Sequence, residues 1–135
     1  MADLAPPLPH PSPTSAPFWE GLKQGQVRIQ RCRACATWVW YPRSHCSHCL
    51  SRDLEWTTIS GEGVLYTFTV ARQPTAPQFK GQTPQMLAVV QLDEGPRLTS
   101  TLTGVAEEQI KVGMRLKPVF DKVTDEVTML RYQPA

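Results

Sequence analysis

Downstream of Trp56 the chain is written in short runs whose apolar residues alternate with polar ones or stand together, the patterning of β-strands with one or both faces buried. "GVLYTFTVAR" sets Val64, Tyr66, Phe68 and Val70 on one face, "MLAVVQL" is more fully apolar, and "RLTSTLTG" places Leu98 and Leu102 together. "MRLKPVF" and "VTMLRY" end the series. The turns between runs have suitable chemistry: "DEGP" at Asp93 to Pro96 closes one hairpin, and "TDE" at Thr124 to Glu126 closes another. Five strands with no long helix predict a small antiparallel barrel. The five-stranded OB architecture is the economical choice, and an SH3-like barrel fits the same pattern.

Upstream of Trp56 the pattern changes. Phe18 to Gln24 predicts a short amphipathic helix with Phe18, Trp19 and Leu22 on one side and Pro17 at its start, and "QVRIQ" then alternates as a strand. A helix this short is not stable alone, so it must dock on its surroundings. The first seventeen residues hold six prolines and almost no core-building side chains, which predicts a disordered or polyproline-like tail. The expected organisation is therefore a tail over residues 1–17, a helix and cysteine module over 18–56, and a barrel over 57–135. No run has the 18 or so apolar residues of a membrane span and no basic, apolar leader opens the chain, so a soluble cytoplasmic protein is expected.

All four cysteines lie in "CRACATWVWYPRSHCSHC", Cys32 to Cys49. Cys32 and Cys35 are separated by two residues, as are Cys46 and Cys49, the spacing of two knuckles around one tetrahedral metal. Structural zinc is the expected occupant, because four thiolates leave no coordination position for water or substrate; iron in a rubredoxin-like site is the redox alternative. Ala36 and Leu50 stand where a knuckle most easily accepts glycine, which predicts strain or an altered turn. His45 and His48 are read as surface knuckle residues, and the alternation of "WVWYP" suits a short strand that packs at least one tryptophan. The fold class is thus mainly β: a short N-terminal helix, a four-cysteine zinc ribbon, then a five-stranded OB-fold barrel.

The formal net charge of +2 is too small to name a partner, but its distribution is uneven. Between Glu20 and Trp56 six cations meet three anions, whereas from Thr57 onward eight basic residues meet eight acidic ones. The cysteine module carries the excess, either as a solvated face or as an anion-binding one. The connection from Gln73 to Gln85 is long, with Phe79 and Lys80 in its middle, and suits a mobile excursion, a partner surface or an acyl-CoA phosphate. The chain offers no Ser-His-Asp set, no paired carboxylates in apolar surroundings, no phosphate-cradling glycine loop and no cysteine outside the four. An intrinsic active site is therefore not expected.

Taken in order, "FWEGLKQG", "CRAC…YPRSHCSHC", "SGEGVLYTFTV", "LAVVQLDEGPRLTS" and "VGMRLKPVF" resemble the zinc-ribbon and OB-fold proteins catalogued as a domain of unknown function and associated with thiolases and other acyl-CoA enzymes. The resemblance runs from about Phe18 to Tyr132 and departs from the usual glycines at Ala36 and Leu50. It implies a non-catalytic subunit in a hetero-oligomer with a thiolase-like or aldolase protein, such as a thiolase, an acyltransferase or a steroid side-chain aldolase. It further implies Cys32, Cys35, Cys46 and Cys49 as structural zinc ligands and acyl-CoA as a ligand shared with the partner. Arg31, Arg33, Arg43 and Lys80 are then the candidate contacts to CoA phosphates. Two other classes fit the same parts: a single-stranded nucleic-acid binder, disfavoured by the charge-balanced barrel, and a rubredoxin-like electron carrier.

Overall fold

The computed structural model describes residues 7–74 and 76–135, so the first six residues of the expected tail and Thr75 in the long connection lie outside it. Helix α1 spans Ala16–Lys23, beginning two residues before the predicted start, with Pro17 in its first turn and Phe18, Gly21 and Leu22 buried. The helix packs on strands of both modules. Gly21 is a point of close approach: a Cβ there would come within 2.8 Å of Arg28 Cδ, so the arginine stem lies across the helix.

Strands β1 (Val27–Cys32), β2 (Trp38–Val39) and β3 (Leu54–Ile59) form an antiparallel sheet in the order β2-β1-β3. The β1–β3 register runs from Val27 opposite Ile59 to Cys32 opposite Leu54, which carries β3 past the expected module boundary at Trp56. The second sheet has the order β6-β5-β4-β7-β8, built from β4 (Gly63–Ala71), β5 (Gln85–Leu92), β6 (Arg97–Thr101), β7 (Arg115–Lys122) and β8 (Thr128–Pro134). A parallel bridge between Leu102 and Tyr132 joins the two edges, so the five strands close as the OB arrangement requires. The predicted turns sit where expected: Gly95 N–H donates to Leu92 O, and Val123 N–H donates to Val127 O. In the long connection Pro77–Phe79 forms a single 3₁₀ turn.

One face was misassigned from the alternation. A register shift between Leu65 and Thr67 inserts a bulge at Tyr66, so Leu65 is fully buried and Phe68 packs on the core, while Tyr66 turns outward beneath the Arg97 guanidinium. A bulge adds one residue to one strand, and every side chain beyond it changes face.

Leu65, Ala88, Val90, Leu92, Leu98, Leu102, Leu116 and Tyr132 fill the barrel, and Val27, Ile29 and Ile59 from the first sheet belong to the same core. Tyr132 has no exposed surface, and its hydroxyl donates to Gly61 O at 2.6 Å in the β3–β4 turn. Burial, reinforced by the nearby Glu94 charge, raises its pKa above the usual phenol range, so it remains a donor. Gly61 has φ +72°, and an added Cβ would meet Val27 Cγ2 at 2.6 Å, so the turn also fixes how closely the two sheets approach. Replacing Tyr132 with Phe orphans the Gly61 carbonyl and is expected to cost about 1–2 kcal/mol, read as a lower urea midpoint at unchanged slope.

Candidate metal centre

Two chain reversals of the same construction hold the cysteines. In the first, Ala36 N–H donates to Cys32 O at 2.8 Å and Cys32 N–H donates to Thr37 O at 2.9 Å. In the second, Leu50 N–H donates to Cys46 O at 3.0 Å and Cys46 N–H donates to Ser51 O at 2.8 Å. Ala36 and Leu50 take left-handed φ values of 63° and 65°. The turn is thus kept without glycine, at about 1–2 kcal/mol for each side chain placed there.

These reversals bring all four Sγ atoms within 4.8 Å of one another, with Cys32 and Cys49 at 3.5 Å and Cys35 and Cys46 at 3.6 Å. Thiolates bound to one zinc at about 2.3 Å stand about 3.8 Å apart at the corners of a tetrahedron, so the donor set fits that ion. The backbone N–H groups of His48 and Cys49 point at Cys46 Sγ from 3.3 and 3.5 Å, where they offset thiolate charge. Cys32 and Cys46 are buried, with Val39 beside them and Leu54 packed on the cluster.

The electrostatics favour a cation. The Thr37 hydroxyl, 3.1 Å from Cys35 Sγ, and the Thr37 backbone lower the Cys35 thiol to about 6. At Cys49 the Ser51 backbone also lowers the pKa, but Cys32, burial, Cys35 and Cys46 together push it up to about 12. A divalent ion among the four converging sulfurs stabilises the thiolate form of each. Once bound, zinc in a closed sulfur shell acts as a structural cross-link.

The remaining predicted residues are distributed around this cluster. His45 has both ring nitrogens engaged away from the sulfurs: Nδ1 lies 2.7 Å from Ser44 Oγ, and Nε2 accepts from Arg52 Nε at 3.0 Å. His48 is exposed. Arg31 lies over the Trp38 ring at 4.7 Å and donates to Ala36 O at 3.2 Å. Arg33 is engaged by Glu55 at 3.1 Å and Asp53 at 3.8 Å, which offsets its charge. Arg43 has an exposed side chain beside a shallow depression of about 250 Å³, lined also by Ser44, His45, Ser47 and Leu50. Lys80 is exposed in the β4–β5 connection, and no ion pair or hydrogen bond among the described residues joins it to the arginines.

The alternation of the sequence did not reveal Gln30, which is 5% exposed in β1. Its side-chain amide accepts from Arg43 N–H at 2.8 Å and donates to Arg43 O at 2.9 Å, fastening the loop between the knuckles to the strand.

Two family models match the chain: the ChsH2 rubredoxin-like zinc ribbon domain over residues 19–55 and the ChsH2 C-terminal OB-fold domain over residues 56–121. The chain is 37% identical over 119 residues to a probable enoyl-CoA hydratase alpha subunit of Thermomonospora curvata, covering 87% of this chain but only 37% of that protein. It is 31% identical over 112 residues to a DUF35 domain-containing scaffold protein of Methanocaldococcus jannaschii, covering 80% and 77% of the two chains. Among solved structures it resembles a chain of an Ltp2-ChsH2(DUF35) aldolase with TM-score 0.83 and 34% identity, covering 93% of this chain and 98% of that one.

Replacing Cys46 with Ser is expected to reduce bound zinc from roughly one equivalent to near none and to loosen the ribbon, since metal binding and folding are coupled in such modules. Metal analysis with backbone amide spectra checks both outcomes, and full metal content in the variant contradicts the assignment. At Leu50, which is 74% exposed, Gly should leave the loaded protein equally or more stable. Val, β-branched at a positive φ, should cost about 1–2 kcal/mol in the same urea measurement.

Proposed function

Because the chain belongs to the ChsH2 family of zinc-ribbon and OB-fold proteins, we propose that it is a non-catalytic accessory subunit of an acyl-CoA enzyme of the thiolase superfamily, acting in a hetero-oligomer with a thiolase-like or aldolase protein. The observation that carries this reading is the nearly end-to-end match to a chain of the Ltp2-ChsH2(DUF35) aldolase. The match to a hydratase alpha subunit points to the same acyl-CoA chemistry, although this chain spans little more than a third of that protein. Among the described residues, all four thiols are gathered in one cluster, and His45 is held between Ser44 and Arg52 with no carboxylate to orient it as a base. The nucleophile or base is therefore assigned to the partner.

In this reading zinc on Cys32, Cys35, Cys46 and Cys49 staples the ribbon, and residues 18–56 and 57–135 act as ribbon and barrel modules behind the tail. The ribbon face helps complete the partner's acyl-CoA site. Arg31 and Arg43 are the stronger phosphate contacts, since neither has an acidic partner among the described residues. Arg33 and Lys80 are the weaker ones, the first held by Glu55 and the second set apart in the barrel loop. Free thiols held ready for metal suit a reducing cytoplasm, and no helix among the described residues is long and apolar enough to cross a membrane.

Coexpression with a thiolase-like or aldolase protein tests the reading. The two chains should copurify, and the Arg31→Ala, Arg43→Ala double variant should raise the complex's KM for acyl-CoA roughly tenfold at little change in kcat. A protein that leaves native lysate alone, and alters neither the stability nor the rate of the coexpressed enzyme, contradicts it. Visible iron–sulfur absorption in protein purified without added metal would favour the electron carrier instead.

A further inference from the structure

The two knuckles are built alike but differ in the residue that closes them. Each ends on a left-handed residue, Ala36 at φ 63° and Leu50 at φ 65°. Ala36 places one methyl group there, whereas Leu50 places a branched apolar side chain that is 74% exposed. The ribbon core is made without that side chain, from Cys32, Val39 and Cys46 with Cys35 and Leu54 packed on them. A leucine that strains its own backbone and leaves its apolar surface in water costs the fold twice, a combination that points to a use outside the fold.

The surroundings give the chemistry of that use. Leu50 forms one wall of a depression of about 250 Å³, lined also by Arg43, Ser44, His45 and Ser47. The hollow is smaller than the pockets of about 300–1,000 Å³ that hold small molecules, and it suits a single side chain. Arg52 is exposed on the His45 side of it and donates Nε to His45 Nε2 at 3.0 Å. The nearby acids Asp53 and Glu55 are both turned to Arg33, so the knuckle shows an apolar knob in a basic setting.

We propose that the second knuckle is a protein-docking surface, in which Leu50 inserts into an apolar hollow of a partner chain whose rim offers a carboxylate to Arg52. The inference rests on the accessory-subunit reading and deepens it: the partner is the thiolase-like or aldolase protein, and this knuckle is the part of the chain that grips it. The charge on the knuckle selects an acidic rim, and the convex position of the leucine places the hollow on the partner. Arg43 stays available to acyl-CoA phosphates.

The test measures the affinity of the full, zinc-loaded chain for the coexpressed partner. Leu50→Gly and Leu50→Asn, both suited to left-handed backbone, should weaken binding about tenfold or more, while the urea midpoint of the chain alone is no lower. Leu50→Met, which stays apolar, should keep the affinity within about threefold. Ala36→Gly relieves the same strain at the first knuckle and should leave the affinity unchanged. Arg52→Gln should flatten the decline of affinity with added salt. Undiminished binding by Leu50→Gly and Leu50→Asn overturns the proposal and leaves the accessory-subunit reading standing, whereas a wild-type chain that binds no partner overturns both. A wild-type chain that dimerises alone and becomes monomeric as Leu50→Gly also overturns it, by assigning the leucine to a second copy.

Discussion

One strand belongs to two cores. The first half of β1 puts Val27 and Ile29 into the barrel interior, and its last residue, Cys32, enters the sulfur cluster. Antiparallel pairing makes β3 do the same, with Ile59 at the barrel end and Leu54 against the cysteines. Six residues at about 3.3 Å each make this strand roughly 20 Å long, so the two ends are distinct places joined by a rigid element. Everything the ribbon displays is aimed relative to the barrel by this shared pair of strands.

The division of labour follows from that constraint. A closed shell of four sulfurs holds a shape and leaves no coordination position open for substrate. In β1, Arg31 is stacked on Trp38, and in the loop between the knuckles Arg43 is exposed while Gln30 clamps its backbone. Stacking on Trp38 restricts the Arg31 side chain, whereas the Gln30 clamp fixes the backbone that carries Arg43. At the barrel, Tyr132 ties the last strand to the β3–β4 turn, so the C-terminal strand also stabilises the junction.

Local chemistry made much of this legible. Two Cys-x-x-Cys pairs read most readily as the knuckles of one four-sulfur cluster, and the turns at Asp93–Pro96 and Thr124–Glu126 declared themselves through residues suited to tight reversals. Period-two patterning found the barrel strands, because one face of each is buried. It failed at Tyr66, where a bulge resets the phase without any composition change, and at β3, whose "LEWTTI" mixes exposed and half-buried positions since each end serves a different neighbour. Ala36 and Leu50 implied strain or an altered turn, and it is strain that the structure shows: the hydrogen bonds of the two knuckles keep the turn and hold both residues left-handed. The Gln30 clamp depends on contacts between segments distant in sequence, which no local pattern encodes.

The most direct test of this coupling is amide hydrogen exchange across β1 and β3 in zinc-loaded protein and after zinc is withdrawn by a chelator. If the cluster is a structural staple joined to the barrel through β1, protection should fall at Cys32 and Leu54, and also at Val27, Ile29 and Ile59. Loss confined to the cysteine end, with Val27 and Ile29 as protected as before, would contradict the account and show a ribbon that folds independently of the barrel.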